Sequence, residues 1–282
     1  MATNDKLSPA IRSVGICMVA TNKYIELWKR CSLDLEKHAF LESESVTIHL
    51  FTNKKIEAEN WAKLNLKRIQ LKTHLIDGYG WPEATLFRFK FINNVRNEFM
   101  EDVLMYIDSD MEIIADFGSE LNPTNWIGGL AFVAHPGFTR NSGMRWFFDL
   151  IRYPRLLGPY LTKFKEGSKG IGSWEHSKNS TAFVPPKKRK KYVHGAIWFG
   201  EKNHFLNMCR ELDLNTDQDY SKNIIAKWHD ESHLNHFYAT KNATVLSSRY
   251  SGYRPYKYLK RFKPIIFTVE KNADDLRKIK HD

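Results

Sequence analysis

The sequence predicts one α/β domain on three observations. Short apolar runs rich in β-branched residues alternate with helix-length amphipathic stretches through about the first 115 residues. The most apolar run, DVLMYI at 102–107, ends directly in the acidic triplet Asp108-Ser109-Asp110. The chain has 282 residues with 42% hydrophobic content, enough for one large core or two small ones. No internal repeat or low-complexity linker divides it. One continuous unit is expected over 1–282, with two halves meeting near residue 115.

Residues 11–20 (IRSVGICMVA) read as a buried first strand. TNKYIELWKRCSLDLEKHAF follows with a helical pattern in which Ile25, Trp28, Leu33 and Leu35 are spaced to face a core. SVTIHLFTN (45–53) forms a second strand ending in a polar turn, and LKRIQLK (66–72) a third. GYGWPEATLFRFKFINNV opens with turn residues, and Trp81-Pro82 leads into a helix, since proline is tolerated at a helix start. The strand at 102–107 then delivers its acidic residues at a carboxyl end. Strands alternating with helices, closed by acids at a strand end, make the pattern of a nucleotide-binding α/β layer. That half is placed at 1–115. The second half is more mixed, with many aromatic residues and polar loops.

The three cysteines, Cys17, Cys31 and Cys209, are widely spaced and odd in number, which predicts reduced, buried thiols and excludes a disulfide frame or a cysteine-rich zinc module. The N-terminal stretch has no apolar run behind a cationic start, so no signal peptide is expected. No stretch approaches the roughly 18–20 apolar residues of a membrane span. A cytoplasmic location is the expectation. The net charge of +11 favours an anionic partner, and much of it lies in Lys187 to Lys191 (KKRKK) and in the tail from Lys257 onward. The basic run reads as an exposed loop; a nucleic-acid patch is the alternative, without aromatic interleaving to support it.

Three segments have the residue types for chemistry. Asp108 and Asp110 stand one residue apart at a strand end, where two carboxylates flank a hard divalent cation such as Mn2+ or Mg2+; a solvated acidic turn is the other reading. Trp228-His229-Asp230-Glu231-Ser232-His233 packs an aromatic ring, two imidazoles and two carboxylates into six residues. It reads as a helix start capped by Asp230, as a zinc site using His229 and His233 at i, i+4, or as a sugar site with Trp228 stacking and Glu231 facing an anomeric carbon. The zinc reading lacks the glutamate that should follow the first histidine, since that place holds Asp230. Tyr192 to Gly200 (YVHGAIWFG) is a core strand, or a strand whose small residues let a ligand approach the backbone.

Taken together, these segments resemble glycosyltransferase family 6, which includes the histo-blood-group A and B transferases, the α-1,3-galactosyltransferases and bacterial relatives. The most specific match is WHDESHLNHFY (228–238). WPEATLFRFKFI (81–92), YIDSDMEI (106–113), HPGF (135–138), WEHSKNSTAFVP (174–185), YVHGAIWFG (192–200) and KPIIFTVEKN (263–272) occur in the family's order. The resemblance implies a GT-A fold, with a Rossmann-like nucleotide-binding sheet and a continuous acceptor-binding half. It implies transfer from UDP-Gal or UDP-GalNAc to the 3-hydroxyl of a galactoside with retention of the α configuration.

Carried onto this chain, the resemblance assigns Asp108 and Asp110 to the metal and the diphosphate, with Mn2+ preferred and Mg2+ as the alternative. Val19, Thr21 and Tyr24 fall where the family holds uracil and ribose, and Arg88 on the donor side. Asp230 is a donor-sugar contact, and Glu231 the nucleophile or cation stabiliser. Trp228 and His135 match acceptor contacts. Lys271 and Arg277 lie where the family's tail closes over the diphosphate. His194, Gly195 and Ala196 sort the donor; a bulky first residue and an alanine third resemble the galactose users. HPGF resembles members that accept fucosylated galactose. The implied partners are a UDP-sugar and a galactoside or fucosylgalactoside, with no nucleic acid and no membrane span.

Three features depart from the family's pattern. The chain lacks the membrane anchor of the animal enzymes, so a soluble bacterial or viral form is expected. PPKKRKKY replaces a loop that is usually acidic and glycine-containing. HPGF is followed by Thr139 and Arg140, where an aromatic is common.

Overall fold

A computed structural model describes residues 11–139, 144–158, 161, 171–255, 260 and 262–269. Its centre is a seven-stranded sheet. In chain order the strands are β1 (Ser13–Val19), β2 (Ser45–Thr52), β3 (Gln70–Leu75), β4 (Val103–Ile107), β5 (Met111–Ile113), β6 (Leu130–Ala134), β7 (Val193–Glu201), β8 (Thr244–Leu246) and β9 (Ile266–Thr268). The sheet order is β3-β2-β1-β4-β7-β6-β8, and β5 pairs with β9 apart from it. β3, β2, β1 and β4 run parallel, and β7 enters antiparallel to both β4 and β6. This is the sheet of a GT-A fold.

The order follows from burial. β4 is buried along its whole length and β1 at every residue but its two ends, as central parallel strands must be. β3 buries one residue of six and takes the edge. The helices α1 (Tyr24–His38) and α2 (Lys55–Asn65) cover one face through Trp28, Leu35, Ala58 and Ala62. The other face packs against α4 (Arg88–Asn94), α6 (Lys202–Tyr220) and α7 (His229–Thr240), through Phe89, Phe205 and Phe237 among others. The short α3 (Glu83–Leu86) leads into α4, and α5 (Met144–Arg152) follows β6. The three cysteines are free and buried, and burial pushes each thiol pKa up. Among the described residues, no helix is long and apolar enough to cross a membrane.

Three expectations need correction. Leu33 does not face the core: α1 buries Ile25, Trp28, Cys31, Ser32 and Leu35, and at 100° per residue Leu33 lies well off that stripe, 46% exposed. The third strand begins at Gln70 rather than at residue 66. The N–H groups of Lys67, Arg68 and Ile69 all donate to the Glu36 carboxylate at the end of α1, so this stretch is a strap across the helix. The basic run is not uniformly exposed. Arg189 is buried, donates to the Val184 carbonyl and lies over Trp174. Lys190 donates to the Lys241 carbonyl, satisfying the carboxyl end of α7.

Candidate active site

The sheet brings the chemistry-bearing residues to one edge. Asp108 follows the last residue of β4. Because β7 is antiparallel to β4, its amino end lies at the same edge, and the Asp108 N–H donates to the Ala196 carbonyl at 2.9 Å. β6 also ends there, at Ala134, and is followed by His135. The first turn of α7 adds Asp230 and Glu231, where a helix amino terminus favours negative charge. Arg88 is the first residue of α4.

These groups line one cleft of about 490 Å3. Its walls include Arg88, Asp108, His135, His194, Gly195, Ala196, Trp228, Asp230 and Glu231. Nine residues singled out from five distant segments of sequence therefore meet in one place. Sequence reasoning missed Trp81, Thr85, Phe138, Ser173 and His229 as cleft residues. Trp81 carried a usable signal, a large aromatic beside a proline; Ser173 and Thr85 carried none.

Arg88 is the charge hub. It is buried, ion-paired to Asp108 at 3.1 Å and to Asp230 at 3.2 Å, and donates to the Thr85 and Gly195 carbonyls. Its guanidinium lies 4.6 Å from the centre of the Tyr106 ring. Burial works to lower its pKa, but Asp108 and Asp230 override burial and raise it, so Arg88 is a permanent cation. The Tyr106 hydroxyl donates to the same Asp108 oxygen that Arg88 meets. The other carboxylate oxygen, Oδ2, has no partner among the described residues, and the side chain is part-exposed. Asp110 is buried two residues on, and its backbone carbonyl accepts from the Val269 N–H at 2.9 Å, beside the pairing of β5 with β9. Two hard carboxylates at this spacing fit a divalent cation's donor chemistry.

Glu231 is positioned by β7. Its Oε2 accepts from the Gly195 N–H at 2.8 Å and lies 4.0 Å from His135 Nε2. Burial pushes the Glu231 carboxyl up to about 7, against the pull of the Gly195 N–H, the Tyr192 hydroxyl and Arg88. Asp230 is pushed up to about 8 by burial, opposed by Arg88 and reinforced by Asp108 and Glu231. His135 Nδ1 accepts from the Gly137 N–H at 2.9 Å, so the neutral ring carries its proton on Nε2 and offers a donor to the cleft. Burial pushes His194 down to about 4, leaving it neutral, and its Nδ1 meets the Ser251 hydroxyl at 2.5 Å.

Gly195 has a structural reason. A Cβ there would lie 2.8 Å from Glu231 Cβ and 3.3 Å from the Asp230 carboxylate. The close approach inferred from the small residues of YVHGAIWFG is made by α7 itself. Thr139 is explained in the same way: it is buried, donates to the His135 carbonyl at 2.9 Å and meets Ser248 at 2.6 Å, a place for a small hydroxyl.

The histidines weighed as a zinc pair do not converge. His229 has a left-handed backbone, φ +46°, which breaks the helical phase that i, i+4 spacing assumes. Its ring meets Trp81 in the cleft, whereas His233 is buried against Asp219 at 3.9 Å. Among the described residues, one group of three has ligand atoms near enough for a metal, His135, His194 and Glu231. The His135 tautomer, with its proton on Nε2 towards Glu231, opposes metal ligation there.

Val19, Thr21 and Tyr24 stand at the carboxyl end of β1, beside β4 but outside the cleft lining. The Ser109 hydroxyl donates to the Val19 carbonyl at 2.5 Å, tying the two strand ends together, and Thr21 donates to the Tyr79 carbonyl. This junction is where strand order reverses, the usual ligand crevice of an open α/β sheet. Lys271 and Arg277 lie outside the described residues.

The family model for glycosyltransferase family 6 matches residues 155–278. The chain is 25% identical over 279 residues to the globoside alpha-1,3-N-acetylgalactosaminyltransferase 1 of Gallus gallus, covering 95% of this chain and 70% of that protein. It is 27% identical over 180 residues to the O-antigen biosynthesis glycosyltransferase WbnI of Escherichia coli, 63% of each. It is 24% identical over 255 residues to the histo-blood group ABO system transferase 2 of Rattus norvegicus, 88% of this chain and 65% of that protein. With this ordered likeness and a sheet that gathers the acidic residues at one edge, the chain is similar to glycosyltransferase family 6 over 124 of its 282 residues and to glycosyltransferases over most of its length.

Proposed function

We propose that this enzyme moves α-galactose from UDP-Gal to the 3-hydroxyl of a galactoside, with retention, and that a divalent cation, Mn2+ in preference to Mg2+, is held by Asp108 and Asp110. One observation carries the reading: Glu231, fixed by the Gly195 N–H, shares a cleft with Asp108, whose Oδ2 has no partner among the described residues. A cation on the two aspartates offsets the charge that develops on a departing diphosphate. Val19, Thr21 and Tyr24 hold the uridine at the β1–β4 junction. Arg88 and Asp230 orient the donor sugar.

Glu231 acts on the anomeric carbon, either by covalent attack or by stabilising positive charge during same-face substitution. Both routes need the ionised carboxylate. Trp228 gives the acceptor sugar an apolar face, with its indole N–H tied to Ser173 at 2.6 Å, and His135 donates through Nε2. Lys271 and Arg277 close over the diphosphate from a tail that departs beside Asp110, at Val269. Such closure limits hydrolysis by excluding water.

The donor alternative is UDP-GalNAc, favoured by the activity named for the Gallus gallus relative. Galactose is preferred for the imidazole of His194 and for Ala196 in the sorting segment, a choice worth only ~1–3 kcal/mol. The fucosylated acceptor, giving a B-antigen-like product, extends the same reading from HPGF. The test is UDP release from UDP-Gal and UDP-GalNAc side by side, with Mn2+ and with EDTA, on lactose and on 2′-fucosyllactose. Faster cation-dependent release with UDP-Gal supports the proposal. Faster release with UDP-GalNAc overturns the donor, and full activity in EDTA overturns the cation.

A further inference from the structure

The chain leaves the cleft at Phe138 and returns to it at Ser173, both of which line it. Residues 140–170, between them, hold seven Lys or Arg and two Asp or Glu, a local net charge of +5 out of the chain's +11. This third basic segment is separate from Lys187 to Lys191 and from the tail. It is also rich in Phe, Leu, Ile, Trp and Tyr.

Its described part is built around α5. Positions 147 and 151 lie one turn apart on a helix and 148 lies beside them, so all three fall within an arc of about 100°. Phe147, Phe148 and Ile151 are 55%, 61% and 64% exposed. Leu157 and Leu161 continue the exposed apolar surface, and Arg152 and Arg155 are exposed among them. Single exposed apolar residues need no explanation. Five within fifteen residues, bordered by arginines, have the composition of a helix that lies in a bilayer interface, its apolar face among the acyl chains and its cations at the headgroups.

We infer that α5 and the turn after it form a docking surface for an anionic lipid bilayer, which holds the rim of the cleft at a membrane. The charge selects the partner: the exposed Arg152 and Arg155 are drawn to anionic headgroups, and the apolar arc to the acyl boundary beneath them. The surface would favour acceptor glycans carried on lipid, a consequence that rests on the proposed transfer reaction; the docking itself does not.

The test is co-sedimentation of the full chain with vesicles of pure phosphatidylcholine and with vesicles containing phosphatidylglycerol. The expected result is binding to the anionic vesicles at least about tenfold above the neutral ones, weakened by salt. The variant Phe147→Ser/Phe148→Ser/Ile151→Ser is expected to lose about tenfold or more, with turnover of a soluble trisaccharide unchanged. Arg152→Glu/Arg155→Glu, which leaves the apolar residues in place, is expected to abolish the preference for anionic lipid. Equal binding to both vesicles, or full binding by the serine variant, overturns the proposal. So does a wild-type oligomer that ignores vesicles and falls to a monomer in the serine variant, which would make the face a protein interface. Vesicle binding is read without turnover, so failure of the transfer reaction leaves this result legible.

Discussion

Carboxylates lie at each end of strand β4, and the two sites are built on opposite terms. Glu101 precedes the strand by two residues, with one oxygen on His49 Nε2 at 3.1 Å and the other on the Met100 N–H at 3.0 Å. His49 is in turn bonded to His74 at 3.0 Å. Burial works to raise Glu101, but the His49 contact overrides it and holds the carboxyl down at about 2. At the other end, burial prevails: Asp230 and Glu231 are pushed up to about 8 and about 7, and Asp108 keeps an oxygen with no partner among the described residues. A carboxylate with both oxygens engaged belongs to the scaffold. One held at a single oxygen in a cleft, with its charge disfavoured, is poised for a ligand.

Asp108→Asn is the sharpest way to break this comparison. Cation-dependent UDP release should fall by about 10³-fold or more, while Arg88 retains Asp230 and the melting temperature stays near wild type. Metal-dependent turnover in this variant would remove Asp108 from the site.

Glu231→Gln comes next, with an expected loss of about 10²–10³-fold in kcat. It also sharpens the contrast in stability. Folded Glu231 keeps its proton up to about 7, whereas the unfolded carboxyl releases it near ~4.3. Over that window the folded state binds more protons, so this group's contribution becomes destabilising as pH rises. Glutamine can keep the acceptor for the Gly195 N–H without the buried charge. Denaturant unfolding should show the variant more stable by about 1–3 kcal/mol at pH 8 and unchanged near pH 4.

Glu101→Gln should behave in the opposite way. Turnover should stay within about twofold, and stability at pH 7 should fall by about 1–3 kcal/mol. Because the folded pKa is depressed, the wild-type advantage is present above ~4.3 and disappears as pH falls towards 2. Trp228→Phe is the smallest effect: losing the contact to Ser173 should raise the acceptor KM about two- to tenfold and leave kcat alone.

The two halves of the chain differ in how much the sequence reveals. β1, β2, β4 and α1 are legible because each is a continuous local run with its own period. The third strand slips because Glu36, about 30 residues away, takes its opening N–H groups. The β5–β9 pair is invisible in sequence: two three-residue strands more than 150 residues apart have no local signature. At the site, Asp108, Glu231 and Gly195 were identifiable by motif. The Tyr106 and Arg88 partnership was not, because it joins a strand interior to a helix start.

The contact between Gly195 and Glu231 also has a bearing on how such an enzyme can be redesigned. The middle residue of the segment proposed to sort the donor lies against the carboxylate that the reaction is proposed to use, so any side chain there would displace Glu231 by pushing on its Cβ. Selectivity and speed are mechanically linked at that position. A library aimed at changing the donor sugar should leave residue 195 fixed and vary 194 and 196, the flanking positions that line the cleft.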